Sequence, residues 1–184
     1  MDQGTDADQD ECFSGQDSAA GRKAPGSTTS GPTASGLKAR AVRLLSMREY
    51  SRKELVRKLS THAPDQQSLE QVLDELEREG WQSDQRFVQS FEHASLHRYG
   101  SVRIAMAMRE RGVDEELVRE SLDRIKESEL ERAWAIWNKR FGQQGLPAEP
   151  KAYARQARFL ASRGFTGEVV SKILTGRFDG SQES

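Results

Sequence analysis

Two arginine-glycine turns stand 52 positions apart in closely similar surroundings. Arg111-Gly112-Val113-Asp114 precedes Leu117, Val118 and Leu122; Arg163-Gly164-Phe165-Thr166 precedes Val169, Val170 and Leu174. A looser copy lies earlier, where Leu59 leads through Pro64-Asp65 to Leu69, Val72, Leu73 and Leu76. A pattern recurring about every 50 residues constrains the chain to one structural unit used three times. Stacked units of that kind build extended binding surfaces rather than deep pockets.

The unit is helical. No stretch alternates apolar and polar residues as a strand does, whereas helical spacing recurs throughout. Leu37, Ala41, Leu44 and Leu45 share one face, and Tyr50-Ser51 breaks that helix. Ser51 to Glu54 fits a capping box opening a second helix with Leu55 and Leu59. Leu69, Val72, Leu73 and Leu76 mark a third, which Gly80 is placed to end. The next unit opens at Ser83-Asp84, either of which can cap, with Phe87, Phe91 and Ala94 inward. Tyr99-Gly100-Ser101 breaks it before Ile104, Ala105 and Met108, and Asp114 caps the helix of Leu117, Val118, Leu122 and Ile125. The last unit carries Leu130, Ala133, Trp134, Trp137 and Phe141, then Tyr153, Ala157 and Leu160, then a helix capped by Thr166 and ended by Gly176.

The expected fold is all-α: three tandem three-helix repeats over 37–81, 82–127 and 128–178, forming an elongated curved molecule. Residues 1–36 form an acidic tail and 179–184 a short C-terminus, both read as disordered. The tail holds 6 of the 15 glycines, six acids against two bases, and Phe13 as its one aromatic, so it cannot bury enough apolar surface to offset ordering. It lacks the cationic start and apolar run of a signal peptide. No apolar stretch is long enough to span a bilayer. Cys12 is the sole cysteine, so no disulfide forms within the chain. A cytoplasmic protein is the simple reading.

The overall charge of −1 conceals a segregation. Lys38 to Lys58 holds eight bases against two acids, Arg98 to Arg111 four against one, and Lys139 to Arg163 six against one. The third helices oppose this: Asp65 to Glu79 has six acids against one base, and Asp114 to Glu131 eight against three. Stacking would align the basic helices into a stripe suited to phosphates or to an acidic protein surface. Candidate partner-binding residues are Arg48, Arg52, Lys53, Arg57, Lys58, Arg98, Arg103, Arg109, Arg155 and Arg158, each of which could equally be a solvated helix face. Arg111 and Arg163 either face the partner or cap the preceding helix through its dipole, and the capping role is preferred.

No catalytic constellation is present. His93 and His97 have ligand spacing but lack both the glutamate of a zinc protease and a third ligand, so no metal is expected. Gly100, Gly112 and Gly164 are single helix breakers rather than a phosphate loop, and no cofactor is expected.

Residues 37–176 resemble the bacterial RecX family of regulators of the RecA recombinase. The resemblance is carried by Arg48-Glu-Tyr-Ser51-Arg-Lys-Glu-Leu55 with Lys58-Leu59, by Leu73, Leu76 and Gly80, by Asp84, Arg86 and Phe87, by Tyr99-Gly100, by Arg111-Gly112-Val113 and by Arg163-Gly164-Phe165. His62-Ala63-Pro64 departs from it where many relatives have a glycine turn. The resemblance implies three tandem three-helix units; the absence of a self-association seam and of a catalytic constellation in the sequence points to a monomer without enzymatic activity. It implies binding to RecA filaments on single-stranded DNA, and inhibition of ATP hydrolysis, strand exchange and filament extension in recombination, repair and the SOS response. Some members also bind DNA. A module binding single- or double-stranded DNA through its basic face is the alternative, opposed by the acidic third helices. A scaffold for some other acidic protein is a third.

Overall fold

The computed structural model describes residues 34–178. The tail with Cys12 and the last six residues lie outside that range, apart from Ala34 to Gly36, which are helical. Among the described residues there are nine α-helices and no strand: α1 (Ala34–Leu45), α2 (Arg52–Leu59), α3 (Gln66–Arg78), α4 (Asp84–Ser95), α5 (Ser101–Glu110), α6 (Glu115–Lys126), α7 (Glu129–Phe141), α8 (Pro150–Ser162) and α9 (Gly167–Leu174). No described helix is long and apolar enough to cross a membrane. Helices pack in threes, α1 with α2 and α3, α4 with α5 and α6, α7 with α8 and α9.

Each triplet forms because its helices are short, capped and apolar on one side. Ser51 and Glu54 make the full capping box on α2: the Glu54 N–H donates to Ser51 Oγ (3.1 Å) and the Ser51 N–H to Glu54 Oε2 (3.4 Å). Asp65 caps α3 (2.7 Å from the Ser68 N–H), Asp114 caps α6 and Thr166 caps α9. His62-Ala63-Pro64 is bridged without a glycine. A single 3-10 turn, Ser60–His62, ends α2, and Ala63 runs extended into the Asp65 cap. Gly80, Gly112, Gly164 and Gly176 all take positive φ where the chain leaves a helix.

The first core joins Leu37, Ala41, Tyr50, Leu55, Leu59, Leu69, Val72, Leu73 and Leu76. Leu55, Leu59, Leu69 and Leu76 are fully buried, each worth about 2 kcal/mol of burial. The second unit buries Phe87, Val88, Tyr99, Ile104, Met108, Val113, Val118 and Ile125. The third joins Ala133, Trp137, Phe141, Leu160, Phe165, Val170, Ile173 and Leu174. Three residues assigned inward by periodicity sit differently. Ala94 and Tyr153 are exposed, and Phe91 is half-buried beneath the Arg111 guanidinium, 4.9 Å from its ring centre. On α8 the buried face is Gln156 and Leu160; Gln156 Oε1 accepts the indole N–H of Trp137 at 2.8 Å.

Candidate interaction surface

The three middle helices share a register set by their buried residues: Leu55 and Leu59 on α2 match Ile104 and Met108 on α5, 49 positions on, and these match Gln156 and Leu160 on α8, a further 52 on. The first N–H groups of a helix have no acceptor within it. The chain meets that need in the same way at both joints between units. Asp84, first residue of α4, accepts the Arg52 N–H at 2.8 Å. Glu129, first residue of α7, accepts both the Ser101 N–H (2.9 Å) and Ser101 Oγ (2.8 Å) and is buried. A carboxylate from the opening of each following unit thus caps the middle helix before it. The third middle helix opens on Pro150, which has no N–H to satisfy. Asp84 therefore caps α2 across the joint, while Ser83 caps its own helix (3.3 Å from the Arg86 N–H).

The arginine-glycine turns complete these joints. The carbonyl of Arg111 accepts Ser51 Oγ at 2.7 Å, and the carbonyl of Arg163 accepts the Gly100 N–H at 2.8 Å. The carbonyl of Gly164 accepts the Val102 N–H at 3.1 Å. The approach requires glycine on both sides of the second joint. A Cβ on Gly100 would fall on the Gly164 carbonyl, and one on Gly164 (φ +82°) would fall on Arg103. Arg111 caps α5 through Nη1 to the Ala107 carbonyl (2.9 Å) and faces the buried Glu54 carboxylate across the joint at 3.4 Å. Burial pulls its guanidinium below the usual arginine range. Arg103 donates to the Ser162 carbonyl (3.1 Å), so it closes α8 from the neighbouring unit. Arg86 clamps Glu49 (2.9 Å) and the Trp81 carbonyl (2.8 Å). Arg132 holds the carbonyls of Leu96, Tyr99 and Ile125 at 2.8–3.2 Å, and burial lowers its pKa too.

Most residues that carry the family resemblance are accordingly joint residues. Ser51, Asp84, Arg86, Gly100, Gly112, Arg163 and Gly164 make the contacts, and Leu55, Phe87, Tyr99 and Phe165 fill the cores behind them. Glu129 and Arg132 went unrecognised in the sequence; what Glu129 shares with Asp84 is its place as the first residue of its unit's opening helix.

The basic candidates divide by what they touch. Arg52 binds Asp74 (2.5 Å) and Glu77 (3.1 Å) on α3, so the acidic helix neutralises it. Arg109 binds Glu115, which raises the arginine's pKa and lowers the glutamate's. Arg48 lies 3.7 Å over the Tyr50 ring and bonds Glu54; Lys58 approaches the same ring at 5.8 Å. Arg98 and Arg103 flank Tyr99 at 5.8 and 4.5 Å. Arg155 holds Gln144 (2.6 Å) beside a cavity of about 350 Å³ that is lined by Arg140, Phe141 and Phe159. Lys53, Arg57 and Arg158 are exposed and make no ion pair with another described residue. His93 and His97 are exposed, and no group of three potential ligands occurs among the described residues.

The register carries these cations to matched places. In this register Lys53, Val102 and Ala154 share one place, and Arg57, Met106 and Arg158 share the place one turn later. All six are exposed. The outward face shared by the three units is thus cationic at both ends and apolar in the middle.

Comparison with known proteins decides the family. Residues 38–76, 83–122 and 127–174 match the first, second and third three-helix domains of RecX in that order. The chain belongs to the RecX family. It is 46% identical over 124 residues to the regulatory protein RecX of Chromobacterium violaceum, covering 67% of this chain and 79% of that one. It is 44% identical over 118 residues to that of Leptothrix cholodnii, covering 64% and 74%. The crystal structure of RecX from Lactobacillus salivarius aligns with a TM-score of 0.67 at 16% identity, over 78% of this chain and 95% of that one, which is agreement of fold. The relatives are named regulatory proteins, in keeping with a surface of joints and cations.

Proposed function

We propose that this chain is a cytoplasmic, monomeric and non-enzymatic regulator that binds RecA filaments on single-stranded DNA and lowers their ATP hydrolysis, strand exchange and extension. The observation that carries the reading is the shared register of three RecX domains, which brings Lys53, Arg57, Lys151, Arg155 and Arg158 onto exposed positions of the middle helices. A filament repeats the same surface on every subunit. Three tandem units in fixed relation can engage it at several points, and modest contacts then combine through multivalency. Charge pairing speeds encounter and sets register more than it supplies raw affinity.

The test is RecA ATP hydrolysis on single-stranded DNA with increasing full-length protein, alongside binding to DNA without RecA at two salt concentrations. Inhibition at or below equal ratio to RecA supports the reading, and its absence at that ratio overturns it. A second reading, non-specific DNA binding, draws on the unpaired cations Lys53, Arg57 and Arg158. It requires affinity for DNA alone that falls steeply with salt. A helix-turn-helix mode is disfavoured, since the third helices α3 and α6 are acidic.

A further inference from the structure

The two exposed apolar residues at the centre of the cationic face have no structural reason to be apolar. Val102 is 55% and Met106 60% exposed, one turn apart on α5 and therefore on one face. The opposite face of α5, with Ile104, Ala105 and Met108, already fills the core. The flanking units show what the fold requires at these positions. Matched by their buried pairs, the equivalents are Lys53 and Arg57 on α2 and Ala154 and Arg158 on α8, all exposed. A charged side chain stands in the methionine's place in both flanking units, and lysine or alanine in the valine's, so packing does not account for valine and methionine in the middle copy.

We propose that Val102 and Met106 are the anchor of the docking surface, and that their occupant is a protein surface with an apolar centre and a carboxylate rim, presented by subunits of the RecA filament. This rests on the function proposed above. Two observations select a protein over nucleic acid. A phosphate track demands cations along its length, and this face interrupts them at its midpoint with two side chains that offer nothing to a phosphate. An apolar centre ringed by charge is instead the anatomy of protein interfaces, where a few central side chains dominate and the rim excludes water. Lys53 and Arg57 on one side, and Lys151, Arg155 and Arg158 on the other, supply the positive half of that rim. Methionine also suits such an anchor, because its unbranched thioether moulds to an irregular partner.

The experiment compares the full-length protein with a Val102→Gln/Met106→Gln variant and with Met106→Leu. Both positions are exposed and glutamine is a good helix former, so helix content and urea midpoint should match the parent. Affinity is measured for RecA assembled on single-stranded DNA with a slowly hydrolysed ATP analogue. Expected is a loss of about tenfold or more in the double variant and retention within about twofold in Met106→Leu, as for removal and conservation of an anchor. Parental binding with an equally tight double variant would overturn the anchor and leave the regulator reading standing. Failure of the parent protein to bind the filament would overturn both. Loss of affinity for DNA alone in the double variant would assign the patch to nucleic acid instead. Concentration-dependent self-association of the parent that the variant abolishes would assign it to a second copy of the chain. Either of these results refutes the proposal.

Discussion

Removing the Glu129 carboxylate should unlock the joint between the second and third units. Its Oε1 accepts two hydrogen bonds from Ser101, at 2.9 Å from N and 2.8 Å from Oγ, and both residues are buried. A hydrogen bond to a charged group contributes about 1.5–3 kcal/mol net, and a buried N–H left unpaired costs about 1–3 kcal/mol. Ser101 Oγ can rotate to another acceptor; its N–H, in the first turn of α5, has no intrahelical one. The expected cost of Glu129→Ala is therefore about 2–4 kcal/mol, a large part of the roughly 5–15 kcal/mol that holds an ordinary domain together. Glu129→Gln keeps an acceptor without its charge and should recover about half of the loss. Urea unfolding followed by circular dichroism measures this. A lower midpoint with unchanged slope reports a weakened joint, and a lower slope reports units that unfold separately. A loss below about 0.5 kcal/mol in Glu129→Ala would refute the cross-joint capping argument.

Two further outcomes follow from the same joints. Gly164→Ala forces a side chain into the left-handed region, at about 1–2 kcal/mol, and also drives a Cβ into Arg103. Gly80→Ala, with φ +76° and open space around it, should show the conformational cost alone, so equal thermal shifts for the two would disprove the close approach. Arg111→Ala removes one partner of the buried Glu54 carboxylate and the cap on the Ala107 carbonyl, for an expected loss of about 1–3 kcal/mol. Arg111→Lys should recover less than half of it, because an ammonium cannot serve both directions at once; a melting temperature equal to the parent's in either variant would remove Arg111 from the joint.

Local features were legible in the sequence because their geometry is fixed by spacing. The Ser51-Glu54 box, the Asp114 and Thr166 caps and the glycines that end helices all act within a few residues. Asp84 illustrates the limit. Beside Ser83 at a helix start, it reads as a cap for its own helix, yet its acceptor faces an N–H 32 residues earlier. Arg52 stands among eight bases in the sequence, but the chain folds Asp74 and Glu77 onto it from 22 and 25 residues away. The charge segregation between successive helices was visible; the pairing that cancels part of it depends on which faces meet. Val102 and Met106 were hidden for another reason. Periodicity selects the inward stripe of a helix, Ile104 and Met108 here, and an apolar residue on the outward face stands out only when the three middle helices are laid in register.

The most direct test of the account compares filament binding by the parent protein with a Lys53→Glu/Arg57→Glu/Arg158→Glu variant. These three cations are exposed and unpaired among the described residues, so their reversal should leave the fold intact. Association with RecA on single-stranded DNA is followed in real time at low and at physiological salt. The expected result is association slowed by about tenfold or more at low salt, with the difference shrinking as screening shortens the reach of the charges. Association equal to the parent's at both salt concentrations would contradict the claim that the cationic face of the middle helices meets the filament.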